Sequence, residues 1–426
     1  MHRRSFQPWW TLDNAAKIFP STSSSHNSKV FRFVCELQEP VEPLILQAAL
    51  DKTIERFPMY RSVMKRGWFW YYLEDSSLPA KVHPEDTPPC YPIYPSVRRS
   101  LLFRVLYYRR RINLEVHHSL SDGTGAMKFL CALVYEYLLA RYPDEFTQSF
   151  PGLPYDASLW QKQMDSFQKY YEKPKRRQKD RVPTAYRLRS RRLPRNRIAV
   201  LEGRIPLDKV LACARERDVT LTELMTAIFM RAIYEGMRVR DRKKPVVITV
   251  PVNLRNYFPS ESDRNFFATL NVGYDFSSQE DSLDAVLAQV RHSFRTSLTQ
   301  ERMRDHMNAL CALEHNIPLR LVPLPIKDVV LRIANIVVSR KATASFSNVG
   351  RTAMPTGMEK FIRQFSVYIC AGVLQACSCS FNGHYVVSFA SPFRTHEVER
   401  IFFRELTQLG LDVVLTTNFS ADGEVN

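Results

Sequence analysis

Between Arg111 and Tyr142 the hydrophobic pattern of the chain changes its period. Ile112, Leu114 and Val116 alternate with Asn113 and Glu115, the two-residue period of a β-strand. One further step of that alternation puts His118 on the face of Leu114 and Val116, pointing to the apolar interior, and His117 on the opposite face. A turn through Ser121, Asp122 and Gly123 follows. From Gly125 onward Met127, Leu130, Leu133, Val134, Tyr137 and Leu138 recur at helical spacing. The pattern therefore predicts an imidazole presented where a strand hands over to a helix.

The same reading orders the rest of the chain. Val30 to Leu37 alternates as a strand. Glu42 to Phe57 reads as a helix with Pro43 in its first turn and Leu46, Leu50, Ile54 and Phe57 inward, ended by Pro58. Ser62 to Lys65 and Trp68 to Leu73 read as a hairpin across Arg66 and Gly67. Leu101 to Tyr108 is a further strand, and Tyr155 to Glu172 a single amphipathic helix. Ala199 to Ile205 is a strand and Asp208 to Glu216 a helix. Thr220 and Glu223 then form a capping box opening a longer helix. Val246 to Val250 and Ala268 to Tyr274 are strands, and two or three helices cover Leu283 to Val338. Strands from Ala344, Phe365, Gln375 and Tyr385 precede a helix from His396 to Leu409 and a last strand. Strands and helices mixed with hairpins predict an α+β fold of mixed-sheet sandwich layers.

His117-His118-Ser-Leu-Ser-Asp122-Gly123 has the HHxxxDG spacing, and in it the chain resembles acyltransferases of the chloramphenicol acetyltransferase-like superfamily, relatives of condensation domains and polyketide-associated acyltransferases. Two later segments resemble the same group. Val252-Asn253-Leu254-Arg255 matches the segment that supplies an arginine partner for the motif aspartate. Ser345 to Gly350, with Ser347 and Asn348, is similar to the strand segment of bacterial alcohol acetyltransferases, as is Leu12-Asp13-Asn14-Ala15-Ala16 near the start. A D-F-G-W-G motif of the plant-type branch is not found. The resemblance implies two acetyltransferase-like domains sharing a strand crossover, with an active-site tunnel between them. The expected division is 1–172, a basic linker at 173–197, and 198–426.

Taken alone, the residues also allow blander readings. Asp122 before a helix could serve only as an N-cap, and a histidine on an apolar face only as a hydrogen-bonded core residue. Neighbouring strand residues face opposite ways, so His117 and His118 do not share a metal ion, and no metal is expected.

Composition narrows the classes. The 426 residues are 45% hydrophobic, enough for two cores, and no apolar run reaches the length of a membrane-spanning helix. Ile326 to Val338 is interrupted by Lys327, Asp328 and Arg332. Eight scattered cysteines, Cys377 and Cys379 among them, suit reduced core thiols. His2, Arg3 and Arg4 are followed by no apolar segment of a secretory signal, so a cytoplasmic and monomeric protein is expected. The net charge of +17 concentrates in Lys173 to Arg197, with twelve basic residues against Asp180 alone. That run reads as a solvated linker. Attraction for coenzyme A phosphates, an acidic carrier, RNA or a membrane surface is the functional alternative, but no RNA-binding signature accompanies it and no nucleic acid is expected.

The chemistry the resemblance implies is acyl transfer from acetyl-CoA or another acyl-CoA, as co-substrate, to a small and apolar alcohol. His118 would be the general base, without an acyl-enzyme. Asp122, paired with Arg255, would orient the motif, and His117 and Gly123 would accompany it. Ser347, Asn348 and the Gly123 amide would be candidates for the oxyanion. No bound cofactor is expected. A stand-alone condensation-type enzyme using carrier-protein thioesters is the alternative; a catalytically silent binding protein of the same fold is the other.

Overall fold

In chain order, the computed structural model, which describes residues 8–94, 99–146, 153, 158–173 and 184–419, runs β1 (Trp9–Thr11), α1 (Phe19–Thr22), β2 (Val30–Leu37), α2 (Pro43–Arg56), β3 (Ser62–Arg66), β4 (Tyr71–Asp75), β5 (Val82–Pro84), β6 (Phe103–Tyr108), β7 (Arg111–His117) and α3 (Gly123–Arg141). Two short helices, α4 (Leu159–Gln163) and α5 (Ser166–Tyr170), lead to the second half. There follow β8 (Ala199–Pro206), α6 (Leu207–Glu216), α7 (Leu221–Glu235), β9 (Val246–Asn253) and β10 (Phe267–Tyr274). Four helices come next: α8 (Leu283–Ser297), α9 (Gln300–His315), α10 (Ile317–Leu321) and α11 (Leu324–Ser339). The chain ends with β11 (Ala344–Arg351), β12 (Ile362–Ile369), β13 (Gln375–Phe381), β14 (His384–Ser391), α12 (Glu397–Gln408) and β15 (Val414–Thr417).

Both large sheets are mixed. One has the order β12-β2-β7-β6-β5, antiparallel except for the parallel pair β5–β6; the other has the order β10-β9-β11-β13-β14-β8-β15, with β11 parallel to both β9 and β13. A small sheet β1-β4-β3 flanks the first. Strand β12 belongs by sequence to the second half, yet it pairs with β2 through Phe365↔Cys35 and Val367↔Phe33. One core gathers around β2, β7, α2 and α3, the other around α7, β9, β10, β14 and α12. The architecture is the mixed-sheet α+β one that the pattern and the resemblance predict, and the β12–β2 ladder ties the two halves of the chain together.

Several elements differ from expectation for identifiable reasons. The hairpin turns later, because the Gly67 amide bonds to the Trp70 carbonyl and β4 starts only at Tyr71. The expected helix Tyr155–Glu172 breaks in two where Met164 is extended and Asp165 caps a new start on the Phe167 amide; residues 155–157 lie outside the described residues. Helix α3 begins at Gly123, two residues before its apolar period, because Asp122 caps it. Pro323 starts a fourth helix, α11, in a region expected to hold two or three. Of the basic stretch, 174–183 lie outside the described residues. Its far end is packed backbone: Tyr186 is buried, its amide on the Pro245 carbonyl, and the Leu193 amide bonds to the Pro392 carbonyl. His2, Arg3 and Arg4 also lie outside the described residues.

Candidate active site

Asp122 organises the junction. Its Oδ1 accepts the amides of Thr124 (3.1 Å) and Gly125 (3.0 Å), satisfying two of the free donors at the start of α3. Its Oδ2 accepts Arg255 Nη1 at 2.7 Å and the Phe266 amide at 2.9 Å. The aspartate is thus both the cap and the ion-pair partner, joining the first lobe to the second. Arg255 is aimed by its surroundings: Nη2 donates to the carbonyls of Ser262 (2.7 Å) and Arg264 (2.6 Å), and Asn253 Oδ1 accepts the Arg255 amide. Gly125 sits where the lobes press together. A Cβ there would lie 2.1 Å from the Asp263 carbonyl oxygen, so only glycine fits. Gly123 has no such constraint, its nearest neighbour being Phe33 Cζ at 3.7 Å.

His118 packs among aromatic rings, stacked on Phe19 at 4.6 Å and edge-on to Phe31 at 5.0 Å. Its Nδ1 lies 3.0 Å from Asn265 Oδ1. The orientation of that amide is fixed, because Asn265 Nδ2 faces two acceptors, the His118 carbonyl and Asp13 Oδ2, both at 3.0 Å. An amide oxygen only accepts, so His118 Nδ1 carries the proton and Nε2 keeps its lone pair. Burial lowers the His118 pKa, while the Asn265 bond and the nearby Asp122 charge pull it back up. The ring is therefore neutral at neutral pH.

His117 behaves differently. It is fully buried on the back face of β7, with Nε2 3.3 Å from Ser23 Oγ and Nδ1 accepting the Ser119 amide. Burial, with His118 and Lys29 adding to it, lowers its pKa to about 3. The alternation correctly separates the two histidines onto opposite faces, but the face expected to be less interior is the more deeply buried. Asn113 and Glu115 share it, because Glu115 stands directly opposite Arg32 on β2 and Arg104 on β6 and is ion-paired to both.

A cavity of about 150 Å³ opens between the lobes, lined by Phe31, Phe33, His118, Gly123, Ser347 and Asn348 with their neighbours. Asn348 has both polar atoms engaged: Nδ2 donates to Thr222 Oγ1 (2.9 Å) and Oδ1 accepts the Gly350 amide (3.0 Å). This bond holds a register shift in β11, where Gly350 takes φ +89°. A second cavity on the other side of Asn348 is lined by Leu207, Leu221, Arg351 and Tyr385. Among the described residues no cluster suited to a metal ion is found.

Asn265 and Asp13 belong to the site although no motif of the sequence marks either as a site residue. Burial raises the Asp13 pKa to about 6, with Arg264 opposing it. Asp13 accepts the Ala16 amide at 2.8 Å and so also caps its own turn. The Leu12 to Ala16 segment was a signal for this position; Asn265, 147 residues from His118, had none in local spacing.

Comparison with known proteins gives three findings. The alcohol acetyltransferase family model matches residues 158–367, a span that holds Arg255, Asn265, Ser347 and Asn348 and begins after the HHxxxDG motif. No curated protein sequence matches the chain. Among solved structures, Fusarium sporotrichioides TRI101 in complex with coenzyme A and T-2 superposes with a TM-score of 0.64 at 12% identity, covering 95% of this chain and 99% of that one. TRI3 trichothecene 15-O-acetyltransferase from the same organism gives 0.60 at 9%, covering 96% of each chain. The starter condensation domain of rhizomide synthetase gives 0.57 at 14%, covering 94% of each. At these identities the likeness is one of fold.

Proposed function

We propose that this chain, an alcohol acetyltransferase-like acyltransferase built on the chloramphenicol acetyltransferase-like fold, moves an acyl group from coenzyme A to an alcohol with His118 as general base. The observation that carries the reading is the Asn265 bond to Nδ1, which leaves Nε2 unprotonated on a ring that lines the interlobe cavity. Nε2 takes the hydroxyl proton as the alcohol oxygen attacks the thioester carbonyl. The tetrahedral intermediate collapses, and the departing thiolate recovers that proton from the imidazolium. Atoms balance without an acyl-enzyme, and neither cofactor nor metal takes part.

Negative charge on the carbonyl oxygen needs donors. Asp122 caps Thr124 and Gly125 but not Gly123, so the Gly123 amide at the positive end of α3 and the Ser347 hydroxyl are assigned to it. Asn348 is assigned to holding the shape of β11. Asp122 and Arg255 aim the junction without moving protons. The neighbour bound to coenzyme A and T-2 supports a free coenzyme A thioester as donor, and aromatic rings around His118 favour an apolar acceptor.

The test is thiol release from acetyl-CoA with a panel of alcohols and amines. Alcohol-dependent release that His118→Ala abolishes is the expected result. Release driven only by amines, or only from carrier-bound thioesters, would overturn the choice of acceptor or donor. Undiminished turnover in His118→Ala would overturn the base.

A further inference from the structure

Helix α11 is turned inside out. An ordinary surface helix buries its apolar stripe and shows its charges to water. Here the charges point inward: Lys327 Nζ donates to the carbonyls of Phe69 (3.0 Å) and Arg320 (2.9 Å) and lies 3.9 Å from the centre of the Trp70 ring. Asp328 accepts Ser21 Oγ at 2.6 Å and the Tyr71 hydroxyl at 3.1 Å, and Arg332 Nε donates to the Ser21 carbonyl. The aliphatic residues Ile326, Val329, Val330, Ile333, Ile336 and Val337 face out, each between 51 and 58% exposed. Their spacing of three and four makes one continuous stripe along the helix.

The stripe is extended by the tip of the β3–β4 turn. The Leu324 amide bonds to the Trp68 carbonyl at 2.9 Å, and the Trp68 side chain is 88% exposed. Basic residues flank this surface: Arg66, 3.6 Å from Asp328, and Arg320 and Arg340 are exposed, while from 316 to 343 the only acidic residue is the buried Asp328. No helix among the described residues is long and apolar enough to cross a membrane.

We propose that α11 and the Trp68 turn form a docking face for an anionic lipid bilayer. A helix with an aliphatic stripe, an adjoining tryptophan and arginines at its borders has the chemistry of one lying in the headgroup region. Charge decides against a second copy as the occupant, because a chain of net charge +17 would meet the same basic border on its twin. The face lies one short helix from the reactive imidazole: α11 bonds to Ser21 of α1, and Phe19 of α1 stacks on His118. The inference rests on this surface and not on the chemistry at His118.

The test uses the full chain and sedimentation with vesicles of phosphatidylcholine alone or mixed with phosphatidylserine. Retention on the mixed vesicles that fades with added salt, with a blue shift of tryptophan emission, is expected. The double variant Val330→Gln, Ile333→Gln, at two half-exposed positions, should keep the melting temperature and lose at least about tenfold in binding, the factor that about 1.4 kcal/mol represents. Three results would overturn the proposal: no retention on anionic vesicles, equal retention on neutral ones, or retention unchanged in the double variant. A wild-type dimer that the double variant dissociates would assign the face to a second copy instead.

Discussion

The two faces of β7 carry the same kind of residue and use it in opposite ways. On the back face, Glu115 and His117 are sealed: Glu115 is ion-paired to Arg32 and Arg104, and His117 is held between Ser23 and the Ser119 amide. On the cavity face, one residue farther along, His118 keeps one nitrogen bonded and the other beside open space. Burial alone therefore does not mark the histidine proposed as the base. What separates the two imidazoles is whether every polar atom has a partner within the fold.

The sharpest way to break the comparison is to remove one member from each face. His118→Ala should lower kcat by about 10²- to 10⁴-fold, the contribution of a general base, with the melting temperature close to wild type. Glu115→Ala should do the reverse. Burial pushes the Glu115 carboxyl up, but Arg32 and Arg104 outweigh it and hold it below the usual range, so the ionised form belongs to the fold. Its loss leaves Arg32 with Glu85 alone and Arg104 with only the Tyr91 carbonyl, and should cost up to about 3 to 5 kcal/mol in denaturant titration. Arg255→Ala falls between: it leaves the Asp122 carboxylate without its cation, held by the Thr124, Gly125 and Phe266 amides alone, and should lower stability by a similar amount at most and activity with it. An Arg255→Ala enzyme that stays stable and is merely slow would make the pair part of the chemistry.

How much of this the sequence contains depends on how local each feature is. Strand β2 and the capping box of Thr220 and Glu223 match their expected positions, since both are written in consecutive residues. The burial of the back face of β7 is not legible in the chain, because the period-two pattern shows only that Asn113, Glu115 and His117 share a face, and nothing local says that Arg32, Glu115 and Arg104 are cross-strand neighbours. The motif names His118, Asp122 and Gly123, and order along the chain names Arg255 and Ser347. The proton on Nδ1 could not be read that way, because Asn265 and Asp13 come to His118 from 147 and 105 residues away. Helix α11 was legible only as a run too broken to span a membrane; which way its charges turned needed the packing of α1.

A finer test addresses the bond that distinguishes the ring proposed as the base. Asn265→Ala frees Nδ1, so either nitrogen can carry the proton, and Asp13 loses a donor. Turnover should fall about tenfold or less, the worth of one net hydrogen bond. The pH profile should move as well. Removing the Asn265 bond takes away a contribution that holds the His118 pKa up, so the acidic limb of kcat/KM should shift to lower pH while its maximum drops. A lower rate with an unmoved limb would make Asn265 a packing residue.

The last effect belongs to His117, and it appears only in acid. An ordinary histidine titrates near 6.5, whereas His117 in the folded protein is lowered to about 3 by burial, the His118 ring and the Lys29 ammonium. Between these values the unfolded chain binds a proton that the folded one refuses, so stability present above 6.5 is lost as pH falls toward 3. The slope from this group is about 1.4 kcal/mol per pH unit. His117→Asn has no ring to protonate. Its stability, below wild type at pH 8 by whatever the Ser23 and Ser119 contacts contribute, should fall less steeply toward pH 5, so the two curves converge. His118 remains in both proteins, so its titration enters the difference only through its coupling to His117. Parallel curves would mean that His117 is protonated within the fold, and the contrast between a sealed and an open imidazole on one strand would then be lost.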